Sequence, residues 1–206
     1  MVLGIVAVVT VLFAVTNNVG FGSALRASTV NAVSIITGTG YATAPFDTWG
    51  GFAATIFFLA MFVGGCAGST TCGIKIFRFQ VLYATAAAHI SRLLHPHGVF
   101  IPTYNRRPIS DEVALSVMSF FFFYVLVFVI LAVLLGVTGL DFITALSGSA
   151  TAISNVGPGL GDIVGPAGNF AELPGAAKWL LAVAMLMGRL ELLTVFVLFT
   201  RTYWRG

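Results

Sequence analysis

The sequence predicts an all-α membrane protein built from helix, pore-loop, helix repeats around an ion pathway, and three observations predict it. Of its 206 residues, 58% are hydrophobic and only 8% are charged, with a mean hydropathy of +1.01; a soluble domain carries about 25% charged residues. Two short Thr/Ser/Gly loops, at 34–45 and 151–162, interrupt long apolar stretches. The two interruptions also align: with Gly157 on Gly40, Ala-Thr-Ala-Ile-Ser-Asn-Val-Gly at 150–157 falls on Val-Ser-Ile-Ile-Thr-Gly-Thr-Gly at 33–40. Non-helical backbone at membrane depth is tolerated only where protein buries it or where it lines a water-filled path. A repeated small-residue loop therefore points to a permeation pathway with backbone carbonyls as ligands.

Apolar spans are expected near 2–15, 52–63, 113–137 and 179–199. The first is shorter than the roughly 20 residues a spanning helix needs, and it has no positively charged flank. It reads as the end of a helix whose start is missing, not as a signal peptide. Each half then continues with a short amphipathic helix, at about 22–36 and about 142–153. At 1.5 Å per residue these reach on the order of 18 to 22 Å, enough to enter the bilayer halfway and let the loop climb back out. Their C-terminal carbonyls would point inward, the end of a helix dipole that attracts cations.

Residues 49–88 as one straight helix would measure roughly 60 Å, twice the hydrocarbon thickness. A break is expected at Gly64-Gly65-Cys66-Ala67-Gly68-Ser69-Thr70-Thr71-Cys72-Gly73, where four glycines disfavour helix. It is either a tight packing run of small residues or an intramembrane loop that moves. Residues 77–94 carry His89 and Arg92, His95 follows them, and Pro96, Pro102 and Pro108 break the chain beyond, so this region reads as a connector partly lying on the membrane surface. Ser110, followed by Asp111 and Glu112, suits the N-terminus of the next helix.

Charge placement orients the chain. Of the ten Lys and Arg, seven fall in two places, Lys75, Arg78, Arg92, Arg106 and Arg107 in one and Arg201 and Arg205 in the other. The positive-inside rule makes both cytoplasmic. Asp47, Asp141, Asp162 and Glu172 then lie outside beside the two loops, where they would favour the arrival of cations. Topology already accounts for the basic residues, so nucleic acid is a poor partner. Cys66 and Cys72 support neither a disulfide framework nor a metal site, and the three histidines lack ligand spacing.

Within the spans the conspicuous ionisable residues are Arg189 and Glu191. An intramembrane charge is either paired with a neighbour or functional. Arg189 follows Gly157 by 32 residues, and the same count from Gly40 lands on Cys72, at the end of the Gly-rich run. A charge and a backbone plug would thus sit under the two loops as a gate. Gly157-Pro158-Gly159-Leu160-Gly161 is not a phosphate loop, since no Gly-Lys-Ser/Thr follows and no strand precedes it. No span offers the paired carboxylates or Ser with His of a hydrolase, so an enzyme is not expected.

Ser-Ile-Ile-Thr-Gly-Thr-Gly-Tyr at 34–41, Gly-Cys-Ala-Gly-Ser-Thr-Thr-Cys-Gly-Ile-Lys-Ile at 65–76, Ala-Ile-Ser-Asn-Val-Gly-Pro-Gly-Leu-Gly at 152–161 and Met-Gly-Arg-Leu-Glu at 187–191 together resemble the Trk-type potassium uptake proteins of the Trk/Ktr/HKT superfamily. The resemblance covers nearly the whole chain. It implies two of an expected four repeats around one potassium pathway, namely the third (1–88, with pore helix and filter 22–41 and a broken helix 49–88) and the fourth (111–206, with pore helix and filter 142–161 and a last helix 174–200). Residues 89–110 would be the cytoplasmic connector. The resemblance implies filter ligands at Thr37, Gly38, Thr39, Gly40, Ser154, Asn155, Val156 and Gly157, and gating residues at Gly64, Gly65, Gly68, Gly73 and Arg189. It also implies potassium as cargo with no cofactor in this chain, and a homodimer in the lipid of the bacterial inner membrane. That dimer would sit on a cytosolic nucleotide-binding regulatory ring that senses NADH or ATP. Cys72 departs from the glycine usual there, and two loops cannot ring an ion; the chain is partial, or two chains supply four loops. An ion-coupled secondary transporter with re-entrant hairpins and a non-conducting assembly subunit are the rival readings.

Overall fold

The computed structural model describes residues 2–66, 68–69, 71, 73–190 and 204. Seven α-helices dominate it: α1 Val2–Asn17, α2 Phe21–Thr37, α3 Gly51–Met61, α4 Ile76–Leu94, α5 Asp111–Val137, α6 Phe142–Ser154 and α7 Gly175–Arg189. The two short helices read from the sequence are α2 and α6, each extended by a residue or so. The long stretch over 49–88 is interrupted as its glycines predict, with α3 ending at Met61 and α4 starting only at Ile76.

Among the described residues, α5 is the one helix long and apolar enough to cross a membrane by length and composition; α1, α3 and α6 are shorter apolar helices. The 27 residues of α5 extend about 40 Å, more than the ~30 Å hydrocarbon layer. Helix α6 is the buried one. Ten of its thirteen residues are buried, because α5 and α7 flank it and α3 touches it from the other half.

The halves repeat their packing. In the first, α1 packs on α2, α2 on α3 and α1 on α3; in the second the same three pairings join α5, α6 and α7. One apolar cluster runs from Val9 and Ile35 through Phe46, Trp49 and Phe57 to Ala150 and Val156, so the core of the first half continues into the pore helix of the second.

Three details differ from the sequence reading. The boundary placed at residue 88 falls inside α4, which continues to Leu94, because residues 76–94 contain no glycine or proline to stop it. The connector contains a small hairpin, β1 Thr103–Tyr104 paired antiparallel with β2 Arg107–Pro108. Asn105 and Arg106 turn it at φ 49 and 61, the conformation that matches hairpin twist. Ser110 does precede α5, but its side chain makes no capping hydrogen bond. The last helix ends at Arg189; residues 191–200 of the expected stretch, with Glu191, and Cys72 as well, lie outside the described residues.

A side-chain cap does hold α6. The Thr144 amide donates to Asp141 Oδ2 at 3.1 Å, and hydrogen bonding, from the Thr144 side chain first, lowers the Asp141 pKa below its ordinary 3.8. Asp141→Ala is expected to cost about 1 kcal/mol, seen as a lower melting temperature in detergent at neutral pH. Because the folded-state pKa is depressed, this advantage is present above pH 3.8 and is lost as pH falls through the lower folded value. Equal melting of the two proteins at neutral pH would remove the cap from the account.

Candidate functional site

Both pore loops leave their short helices through the same turn. After α2, Gly38 is left-handed at φ 70; after α6, Asn155 is left-handed at φ 51. The Gly38 and Asn155 amides donate to the carbonyls of Ile35 and Ala152 at 3.1 and 3.2 Å, and those of Thr39 and Val156 to Ser34 and Thr151 at 2.9 and 3.0 Å. Residue for residue, these are the pairs that the alignment of Gly40 with Gly157 brings together. Such a turn satisfies the last helical carbonyls and reverses the chain within one residue. Glycine takes it freely and asparagine better than other side chains.

The two loops meet. Gly40 and Gly157 also have positive φ, 79 and 116. A Cβ on Gly157 would stand 3.3 Å from the Gly40 Cα, one on Gly38 would stand 3.6 Å from the Asn155 carbonyl oxygen, and one on Gly40 would collide with the Val156 carbonyl oxygen. The structure thus brings the segments 37–40 and 154–157 face to face, with two backbone oxygens of the second nearest the glycines of the first.

Side chains behind the loops hold them. Thr151 Oγ1 accepts from the Gly157 amide at 2.9 Å. Ser147 Oγ accepts from the Leu160 amide at 2.9 Å and donates to its carbonyl at 3.1 Å. In the first half Asn31 Oδ1 accepts from the Thr43 amide at 3.0 Å. Since Thr43 aligns with Leu160, one backbone amide is satisfied in both repeats by a pore-helix side chain. Asn155 Nδ2 donates to the Met185 carbonyl at 2.9 Å, tying the turn to α7, and Tyr124 of α5 bonds Ser154 Oγ at 2.6 Å. The sequence reading missed these supports. Their signal is a polar side chain within an apolar helix, which needs a partner away from water.

The glycine-rich break is a loop with a pinned neck. Val63 and Ile74 form a parallel bridge, the Gly64 amide donates to the Ile74 carbonyl, and the Ile74 amide donates to the Phe62 carbonyl, both at 2.9 Å. Gly68 and Gly73 have φ 84 and 81, and a Cβ on Gly65 would meet Thr71 Oγ1 at 2.8 Å. The loop reaches the segment 37–40: Thr71 Cγ2 lies 3.9 Å from where a Gly38 Cβ would be. Arg189 follows Gly188, which packs so closely on α6 that an added Cβ would collide with the Ile153 carbonyl and lie 2.9 Å from Asn155 Nδ2. On the other side, Asp47 and Asp162 line a cavity of about 390 Å³ between the halves, a concentration of negative charge suited to cations.

Two half-crossing helices that end in matched left-handed turns, packed among apolar helices, define a pore-loop membrane protein. The chain belongs to the TrkH family, described as a cation transport protein, which matches residues 3–205. Among its relatives, the Trk system potassium uptake protein TrkI of Halomonas elongata is 54% identical over 89% of this chain and 37% of its own length. TrkH of the same organism is 38% identical over 98% of this chain and 41% of its own length. The crystal structure of the potassium transporter TrkH from Vibrio parahaemolyticus superposes with a TM-score of 0.90 at 34% identity, covering 98% of this chain and 43% of that one. The chain therefore spans about two fifths of the length of these relatives.

Proposed function

We propose that this chain supplies two adjacent walls of a potassium-selective pathway, with the carbonyls of 37–40 and 154–157 replacing part of the ion's hydration shell. The observation that carries the reading is the meeting of two loops built by the same hydrogen bonds, with Asn155 and Val156 oxygens turned toward the opposite glycines. Carbonyl oxygens in such a ring bind an alkali cation without holding it. The relatives are named for potassium uptake, which supports the choice of ion.

The loop at 64–73 and Arg189 act as the gate. Thr71 lies against the inner end of one filter segment, and the chain of α7 passes Asn155 immediately before Arg189. The remaining walls come from further repeats, the pathway lies in the bacterial inner membrane, and a dimer on a cytosolic nucleotide-sensing ring controls it.

The test is rubidium uptake by a potassium-uptake-deficient bacterium that expresses the full-length gene, comparing wild type with Gly157→Ser. Serine at φ 116, with its Cβ 3.3 Å from the Gly40 Cα, displaces the loop. Uptake is expected to fall or to admit sodium. A variant present at normal abundance with unchanged rate and selectivity would remove this loop from the filter.

A further inference from the structure

We propose that Tyr124 is a positioning residue of the filter, anchoring its inner end through Ser154; this rests on the filter reading above. From Phe120 to Val137, α5 carries no polar side chain other than that of Tyr124. A phenol in so apolar a helix needs a partner, and Ser154 Oγ provides one at 2.6 Å. Both residues are buried, at 3% and 1% exposure, so water does not compete for the bond.

The aligned position in the first loop is held differently. Thr37 is exposed, and its hydroxyl bonds the Val33 carbonyl at 2.7 Å and Thr39 Oγ1 at 2.8 Å, all within its own segment. One filter segment is thus braced locally and the other from a transmembrane helix. The Tyr124 ring also packs edge-on to Phe62 at 6.3 Å and shares a buried cluster with Ile74 and Ile153. Phe62 and Ile74 close the neck of the intramembrane loop. Tyr124 therefore stands between that neck and the filter, and its hydroxyl is the part that reaches the filter residue.

The test compares rubidium and sodium uptake in cells expressing the full-length gene with Tyr124→Phe, Ser154→Ala or both. Phenylalanine keeps the ring packing and removes only the hydroxyl. Each single variant is expected to lower the rubidium-to-sodium ratio by about two- to tenfold, the range that one hydrogen bond spans, and the double variant by no more than the larger single effect. A ring that served packing alone would leave the ratio unmoved in Tyr124→Phe, and additive losses would mean that the two hydroxyls act separately; either result overturns the proposal. If Tyr124→Phe fails to reach the membrane, Ser154→Ala decides, since an unchanged ratio there is equally fatal. Gly157→Ser run alongside separates the two levels: if it perturbs selectivity while the Tyr124 and Ser154 variants do not, only the anchor is lost, and if it too is silent the filter reading falls.

Discussion

Replacing Gly40 by alanine is expected to abolish selective rubidium uptake while leaving the protein in the membrane. Two independent effects coincide at this residue. Its φ of 79 lies in the left-handed region, which costs an L side chain roughly 1–2 kcal/mol. Its Cβ would also collide with the Val156 carbonyl oxygen, a backbone atom that cannot rotate aside as a long side chain can. To admit the methyl group, either residues 38–40 or residues 155–157 must move, and both belong to the proposed filter. Gly38 offers a control on the same loop: at φ 70 it is also left-handed, but its Cβ would find the Asn155 oxygen at 3.6 Å, an ordinary contact. Gly38→Ala should therefore be the milder variant. The measurement is rubidium uptake with sodium competition, normalised to membrane abundance. Selective uptake in Gly40→Ala equal to wild type would mean that the two loops do not approach in the conducting protein.

The sequence revealed those features of the site that follow from local chemistry. The internal alignment of 33–40 with 150–157 fixed the equivalence of the turns, because a left-handed residue after each short helix needs glycine or asparagine, and Gly38 and Asn155 are what stand there. The break between α3 and α4 was legible because four glycines and no bulky side chain cannot sustain a helix. What stayed hidden depends on partners far apart in sequence. Tyr124 and Ser154 are 30 residues apart, and a hydropathy reading counts the tyrosine as one more apolar residue after four phenylalanines. Asn31, Ser147 and Thr151 look like ordinary polar members of amphipathic helices until the amides they satisfy are placed beside them. The hairpin at 103–108 was missed because Asn-Arg is a weak turn signal, and proline at 108 argues against a strand except at an edge.

Replacing Arg189 by alanine is expected to raise rubidium uptake in the resting state by about tenfold. α6 and α7 cross at Gly188, where the glycine lets the helix backbone approach Ile153 and Asn155, and Arg189 is the next residue of α7. Arg189 is thus set by a helix rather than by a loop, one residue beyond the point where α7 meets the segment proposed as filter. An ion passing on the order of 10 Å from that charge, at an effective dielectric of about 20, is opposed by about 1.7 kcal/mol, and each ~1.4 kcal/mol is a factor of ten. In the proposed gate, a positive charge at that distance would be strong enough to hold back a cation and weak enough to be overcome by a shift of the loop at 64–73. Arg189→Lys keeps the charge and should keep resting uptake low, which separates electrostatic gating from loss of bulk. Uptake in Arg189→Ala equal to wild type at equal abundance would assign the gate to the pinned loop alone, with Thr71 against Gly38 as its point of action.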